Sequence, residues 1–386
     1  MKNVRKGYIA MLSMALMIVM LTACGGGASD NNSGAISPSA NQGGIASGNS
    51  GTGDTQPSTR QDVVPDYILI PVAAAGERDL TISADDVVML IPFAVLLDNG
   101  ELWNFPHGRG AADAPYLIME NVKHYSNMLA VTNDGNLWAW SLAAGLFGQG
   151  AENNQAVRVM QNVSSTVIDA GRAMIIDMDG VLWGVGASDM GWLGSGTRET
   201  VIEPIRLMDN VKVVSGALGN IFAVTNDGVL WGWGRPRALG IGVDDRSVTE
   251  PVRIMDNVVD VSAGVNTFAL TSDGTLWGWG RNEGQLGDGE YDSQYAPVKI
   301  MENIVSFSSG DNNTVAIDRE GTLWGWGNIG GNWVNHPVQV MDNIIAASAF
   351  GGITFAMTAD GELWEWGRGI SNTPTRISER MTFNIE

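Results

Sequence analysis

A four-residue unit, Gly-x-Leu-Trp, occurs seven times in this 386-residue chain, at intervals of 35 to 48 residues. The seven tryptophans of the unit are Trp103, Trp138, Trp183, Trp231, Trp277, Trp324 and Trp364. Five copies add a second tryptophan two residues later: Trp140, Trp233, Trp279, Trp326 and Trp366. Recurrence at such a period is typical of folds in which each repeat is one structural unit that buries its apolar face against its neighbours. The sequence therefore predicts seven equivalent units, with the first tryptophan of each, such as Trp277, in the core.

Each repeat contains four segments with the composition of short β-strands. In the fifth copy these are residues 258–262, 267–271, 276–279 and 298–301, which are apolar and bounded by Gly, Asp and Asn. Seven antiparallel four-stranded sheets in series predict an all-β fold, a seven-bladed β-propeller. An open solenoid is the alternative, but it would need polar end caps, and the terminal repeats show none.

An acidic residue precedes the glycine in most of these repeats. We expect two-residue hairpin turns at these sites, because Gly adopts positive φ freely and Asp or Asn adopts it at low cost. That position explains the aspartates without catalysis or a metal site; they are Asp134, Asp179, Asp227, Asp273 and Asp360.

The N-terminal segment has the pattern of an export signal. Lys2, Arg5 and Lys6 precede an apolar run that is too short for a membrane span of about 20 residues. The run ends in Leu-Thr-Ala-Cys at Cys24, the only cysteine of the chain, and this resembles the lipobox of bacterial lipoproteins. The resemblance implies a signal peptide at residues 1–23, acylation of Cys24 with palmitate-like chains, and a lipid-anchored location on the extracytoplasmic side of the cell membrane.

Residues 24–62 differ in composition from the rest of the chain. Beyond Cys24 they are almost entirely Gly, Ser, Asn, Thr, Ala, Gln and Pro, which cannot form a core, so we expect a disordered tether. The folded domain is then predicted at residues 63–386, of which 63–85 match no repeat.

One stretch carries a family resemblance. Residues 277–289, WGWGRNEGQLGDG, are similar to the regulator of chromosome condensation repeat, and the similarity extends over roughly residues 87–386. In that family the repeats form a seven-bladed propeller. The chain departs from the family where the second strand usually begins with His: here stand Asn127, Arg172, Asn220, Asn266, Asn313 and Ile353. The Gly-Gln-Leu-Gly element is intact in the fifth copy and partial in three others.

Composition excludes several functions. The chain has 22 Lys and Arg against 42 Asp and Glu, a net charge of −20, so it lacks the cationic surface that nucleic-acid phosphates require. It also shows no nucleophile elbow, phosphate loop or Cys–His pair. We therefore expect a protein that is not an enzyme and has neither cofactor nor metal. Residues 288–292 alternate carboxylates and leave two alternatives, a calcium loop or a solvated acidic loop.

In such a propeller the turns between strands one and two and the loops between strands three and four share one face. Variable loops on a rigid scaffold commonly carry binding sites, and exposed aromatics and arginines commonly anchor interfaces. We expect this face to bind another protein at the cell envelope. Trp192 and Trp333 each have an alternative role, as a plug between two blades. The candidate residues are Trp192, Trp333, Tyr291, Tyr295, Phe147, His107, Arg235 and Arg237.

Two other functions remain open at this point. Loop aromatics also stack on sugars, which favours a glycan or peptidoglycan module. A bacterial β-lactamase-inhibitory protein that is similar in fold suggests inhibition of a cell-wall enzyme or β-lactamase. Guanine-nucleotide exchange, the best-known activity of the wider family, is disfavoured because its GTPase partners are cytosolic. The C-terminal residues 381–385 align with the first strand of a repeat, so we expect them to pair beside residues 93–97 and close the ring.

Overall fold

The computed structural model describes residues 67–69, 87–91, 94–104, 116–126, 128–140, 142–148, 155–242 and 247–376. The predicted signal peptide, Cys24, the tether and residues 381–385 lie outside these ranges. Among the helices of the described ranges, none is both long enough and apolar enough to cross a membrane.

The described strands form seven antiparallel sheets, as the repeat pattern predicts. A short strand, β1 (Tyr67–Leu69), precedes the first blade. Blades 1 to 3 consist of β2 (Val87–Ile91), β3 (Ala94–Leu97), β4 (Leu102–Asn104), β5 (Tyr116–Met119); β6 (Val122–Ser126), β7 (Leu129–Thr132), β8 (Leu137–Trp140), β9 (Gln155–Met160); and β10 (Val163–Asp169), β11 (Arg172–Asp177), β12 (Leu182–Gly186), β13 (Val201–Met208). Blades 4 and 5 consist of β14 (Val211–Ala217), β15 (Asn220–Thr225), β16 (Leu230–Gly234), β17 (Val248–Met255); and β18 (Val258–Ser262), β19 (Asn266–Thr271), β20 (Leu276–Gly280), β21 (Gln294–Met301). Blades 6 and 7 consist of β22 (Ile304–Ser309), β23 (Asn313–Asp318), β24 (Leu323–Ile329), β25 (Asn332–Met341); and β26 (Ile344–Phe350), β27 (Ile353–Thr358), β28 (Leu363–Gly367), β29 (Ser371–Arg376). A helix, α1 (Leu142–Leu146), and a 3-10 turn (Pro236–Ala238) lie in loops.

Within each blade the four strands pair in chain order, and the first strand is the innermost. The first strands of successive blades contact one another, as β10 contacts β6 and β14. At one end of these strands the hydroxyls of Ser262 and Ser309 lie 2.7 Å apart, which joins blades 5 and 6. The fourth strand is the outer one and is half-exposed, as β17 shows. This is the arrangement of a seven-bladed β-propeller.

The core lies between the blades. The second strands β11, β15, β19 and β23 are buried at every residue, because both faces of each sheet are covered by neighbouring blades. Six apolar clusters each combine residues of two adjacent blades. In the cluster between blades 3 and 4, Met174 and Leu193 of one blade meet Ile221 and Trp233 of the next.

In most of the tryptophan pairs the second residue is more buried than the first, whereas the first was predicted to lie in the core. In blade 2 the first tryptophan, Trp138, is buried and Trp140 is partly buried, as predicted. In blades 4 to 7 the second tryptophan is the fully buried one, as in Trp233, Trp279, Trp326 and Trp366, whereas Trp277 is partly buried. The reason is a cover from the preceding blade: a Cβ placed on Gly240 would lie 2.9 Å from Trp279 Nε1, and one on Gly287 would lie 2.5 Å from Trp326. The Leu-Gly elements of the loops therefore close over the second tryptophan, and only glycine allows so close an approach.

The Asp-Gly turns are three-residue loops, which corrects the expectation of two-residue turns. Gly274 has φ of +90°, but Asp273 is not in the left-handed region. Thr271 N donates to Thr275 O and Gly274 N donates to Thr271 O, which is the pattern of a type I turn followed by a glycine bulge. Asp273 Oδ1 accepts hydrogen bonds from Thr271 Oγ1 (2.7 Å) and Thr275 N (3.0 Å), so this aspartate stabilises the turn.

Blade 1 has no free edge where the tail was expected to pair. Strand β3 is flanked by β2 on one side and β4 on the other. Strand β2 therefore occupies the place that the sequence assigned to residues 381–385, because only two residues of the chain separate β2 from β3. Strand β1, from a segment that the repeats left unassigned, adds a fifth strand to blade 2 by pairing with β9.

Candidate functional site

The connections between first and second strands, and between third and fourth strands, lie on one side of the propeller, which we call the loop face. The second kind of connection is long in blades 3 to 5, at residues 187–200, 235–247 and 281–293. The opposite side carries the Asp-Gly hairpins and the interblade connections, and we call it the hairpin face.

Four successive blades each expose at least one large apolar side chain in the segment around the third-to-fourth-strand connection. Their exposed fractions are 53% for Met190, 39% for Ile241, 67% for Tyr291 and 54% for Trp333. They belong in order to blades 3, 4, 5 and 6, so the four form one series along the loop face, which we call the apolar row. Exposed apolar patches are common at interaction sites, so the apolar row is the candidate binding site.

Trp333 lies in a strand, which corrects its assignment to a loop. It is the second residue of β25 and pairs with Asn328 of β24. The two residues that join these strands, Gly330 and Gly331, both have positive φ, +58° and +89°. Because such a two-residue turn matches the twist of the strands, the ladder continues to the loop face and holds Trp333 on regular backbone.

The segment that carries Tyr291 is joined to the strand that carries Trp333 by hydrogen bonds between blades 5 and 6. Gly289 N donates to Asn335 O (2.8 Å), and Asn335 Nδ2 donates to Gly289 O (2.7 Å). Tyr291 is two residues from Gly289, and Trp333 is two residues from Asn335. The two exposed aromatic rings therefore lie on a fixed joint between blades.

The acidic segment 288–292 is organised by its own side chains. Asn282 Nδ2 donates to Asp288 Oδ1 (2.9 Å), and the same carboxylate accepts from Glu290 N (3.1 Å) and from Gln294 Nε2 (3.2 Å). In the part of the chain that the structure describes, no group of three or more His, Cys, Asp or Glu side chains could hold a metal ion. This carboxylate stabilises the loop.

Trp192 packs between charged side chains and the next blade. The guanidinium carbon of Arg235 lies 4.7 Å from the ring centroid and that of Arg172 lies 5.4 Å away. A Cβ on Gly219 would lie 2.5 Å from the indole ring, so the ring rests directly on the first turn of blade 4. The ring is partly buried, and this geometry matches the alternative in which Trp192 joins two blades.

Below this indole lies a buried ion pair. Arg172 Nη1 is 4.0 Å from Asp169 Oδ2, and the two side chains are only 5% and 0% exposed. Gly219 N donates to Asp169 Oδ2 (3.0 Å). Burial raises the pKa of Asp169, and the Arg172 guanidinium opposes that rise. Arg172 stands where other repeats have asparagine, such as Asn220, whose Oδ1 accepts from Arg235 N.

The remaining predicted site residues lie in different environments. Phe147 is buried in the cluster between blades 2 and 3, which corrects its assignment to the binding surface. It occupies the place of the leucine in the Leu-Gly elements, and its larger ring packs with Val185, which replaces the bulkier second tryptophan. Tyr295 is half-buried on β21, not in a loop, because that strand starts at Gln294. Arg235 and Arg237 are exposed around the 3-10 turn.

His107 lies outside the described residues. Sequence reasoning missed Met190 and Ile241, which share a recognisable signal. Each is a large aliphatic residue directly beside glycine in a loop: Met190 precedes Gly191, and Ile241 lies between Gly240 and Gly242.

The fold and the loop face define a class of protein, a seven-bladed propeller. Its blades share one kind of glycine hairpin turn, and their loops differ. Models of the regulator of chromosome condensation (RCC1) repeat match residues 273–317, and 258–285 with 304–331. The chain therefore contains RCC1 repeats. No curated protein matches it by sequence.

Solved structures show the same fold at low identity. Human WBSCR16 is 17% identical, with a TM-score of 0.57 over 70% of this chain and 88% of that one. Yeast RCC1 (Prp20), solved bound to Kap60, is 18% identical, with a TM-score of 0.55 over 66% and 73%. Prp20p from Saccharomyces cerevisiae, studied with Gsp1p and histones, gives 18% and 0.52 over 68% and 78%.

Proposed function

We propose that this chain is a non-catalytic, lipid-anchored extracytoplasmic protein whose propeller binds another protein through the loop face. The observation that supports the binding site is the apolar row, in which Met190, Ile241, Tyr291 and Trp333 project from four consecutive blades. Arg235 and Arg237 lie beside this row, and aromatic and arginine side chains commonly dominate interface energetics. Prp20p, of similar fold, was characterised for binding to proteins.

The location rests on the sequence at Cys24. In cells, labelled palmitate should be incorporated into the full-length chain and should be lost in Cys24→Ala, which should also move the protein out of the membrane fraction. Palmitate-free protein in the soluble fraction of wild-type cells would contradict the anchor.

The binding face is tested by site-specific photo-crosslinking in intact cell envelopes. A crosslinking amino acid at position 291 or 333 should give the same discrete protein adduct, and Met190→Ser with Ile241→Ser should weaken it. A crosslinker at position 178, which replaces an exposed methionine of the hairpin face, is the matched control. Equal adducts from both faces would refute the assignment.

A glycan partner is the second candidate, and the joint between Tyr291 and Trp333 favours it, because two exposed rings held by neighbouring blades could stack on a sugar. Soluble peptidoglycan fragments should then shift the tryptophan fluorescence of wild-type protein and leave that of Trp333→Ala unchanged. The absence of a shift in the wild type would remove this candidate.

A further inference from the structure

The hairpin face carries a second set of exposed apolar side chains, at its centre. The pairing between first and second strands is interrupted by a bulge at the same place in all seven described sheets. In blade 5, for example, Val258 pairs with Thr271 and Asp260 pairs with Leu270, so Val259 has no partner. A bulge turns its extra residue away from the ordinary alternation of the strand.

The seven bulged residues differ in side-chain type around the ring: some are apolar, and others are polar or charged. They are Val88, Lys123, Ser164, Lys212, Val259, Val305 and Ile345. The last three belong to the consecutive blades 5, 6 and 7, and their exposed fractions are 39%, 52% and 53%. We call these three residues the central arc. Blades 5, 6 and 7 are consecutive, and the innermost strands of blades 6 and 7 contact one another, so the arc lies on one side of the centre of this face.

Carboxylates surround this arc. On blades 5 to 7 the hairpins carry exposed Asp273, Glu320 and Asp360, one strand spacing of about 4.8 Å outside the innermost strands. Asp273, Glu320 and the nearby Asp342 accept hydrogen bonds from Thr271, Asn303 and Gln339, which are neutral, so these bonds leave the charges uncompensated.

The outer part of the same rim is closer to neutral. Asp256 pairs with Arg253, and Glu302 pairs with Lys299 (2.7 Å). Arg319 supplies one further cation between the hairpins of blades 5 and 6. With a chain charge of −20, the field over this face favours positive partners.

We propose that the central arc is a docking site for a basic protein segment with apolar side chains at alternate positions. Its apolar side chains cover Val259, Val305 and Ile345, and its lysines or arginines lie over Asp273, Glu320 and Asp342. This second interaction surface lies on the face opposite the apolar row and does not depend on the proposed function.

Three labelled peptides test the proposal against full-length protein by fluorescence anisotropy. One alternates leucine with lysine, one leucine with glutamate, and one serine with lysine. The first should bind, and the other two should bind at least tenfold more weakly. Failure of the leucine–lysine peptide to bind, or equal binding of the serine–lysine peptide, would overturn the proposal.

Paired variants locate the site. Val305→Ser with Ile345→Ser should weaken binding of the leucine–lysine peptide about tenfold, while Ile202→Ser, which changes an exposed isoleucine on β13, should leave it unchanged. Glu320→Gln with Asp342→Asn keeps the acceptor oxygens, removes two charges and should weaken binding several-fold. Tyr291→Ser with Trp333→Ser should have no effect, which separates this site from the loop face. An equal loss of peptide binding in Ile202→Ser would contradict the assignment. It would also be contradicted if the protein bound zwitterionic vesicles in a way that depends on Val305 and did not bind the leucine–lysine peptide.

Discussion

The indole Nε1 of Trp279 donates a 3.0 Å hydrogen bond to the carbonyl oxygen of Ala238, which belongs to the preceding blade. The bond fixes the loop of blade 4 against the core of blade 5. It shows how a loop that carries exposed residues such as Arg237 and Ile241 is held by a tryptophan that is fully buried. This loop of the loop face is therefore held in place by a contact between blades.

Trp279→Ala should destabilise the protein more than Trp277→Ala. Truncation of a fully buried aromatic costs about 3–5 kcal/mol, and Trp279 also loses its bond to Ala238. Trp277 is partly buried, so its truncation should cost roughly half as much. Urea denaturation followed by far-UV circular dichroism measures both changes. A larger loss for Trp277→Ala would mean that burial does not decide the order.

Gly287→Ala and Gly289→Ala form a matched pair. Their φ values are +85° and +86°, so alanine is strained equally at both, by about 1–2 kcal/mol. A Cβ at position 287 would also lie 2.5 Å from Trp326, whereas one at 289 meets nothing within 4 Å. The first variant should therefore unfold more readily by a further ~1–3 kcal/mol, the usual range for overpacking. Identical denaturation midpoints would show that the glycine is not needed for the close approach.

Trp192→Ala should lower the melting temperature, and Trp333→Ala should not. Trp192 contacts Gly219, Arg172 and Arg235 across two blades, and each cation–π contact contributes about 0.5–2 kcal/mol. Trp333 is exposed on β25, so its loss leaves the core intact. Differential scanning calorimetry compares the two variants. Equal melting temperatures would remove the structural role of Trp192.

His124 should make stability depend on pH. It is fully buried and its ring lies 2.9 Å from Thr166 O, so Nε2 donates to the carbonyl and burial lowers the pKa of this histidine. The unfolded chain takes up a proton near pH 6.5 and the folded chain does so only at lower pH, so the free energy of unfolding falls as pH drops below about 6.5. His124→Gln keeps a donor and does not titrate. The stability difference between wild type and variant should shrink from pH 8 to pH 5.5; a constant difference would contradict the assignment.

The repeat pattern alone was sufficient for the architecture, because seven copies of Gly-x-Leu-Trp with flanking strand segments can bury their apolar faces only against one another. It also predicted the structural role of Asp273 and of Asp134 in their turns. It could not rank Trp277 and Trp279, since both occupy the same face of β20 and only the loop of the preceding blade covers one of them.

The candidate surfaces were less accessible to sequence reasoning. Phe147 and Tyr291 have the same kind of side chain in equivalent connections, yet one is in the core and the other is 67% exposed. Val259, Val305 and Ile345 each follow another apolar residue at the start of a strand, and such a pair does not by itself show which member is exposed. The local sequence determined which segments become strands and turns, because backbone preference acts over a few residues. Packing between blades decided which side chains are exposed to solvent. That packing depends on residues 40 or more positions apart, as in the hydrogen bond from Trp279 to Ala238.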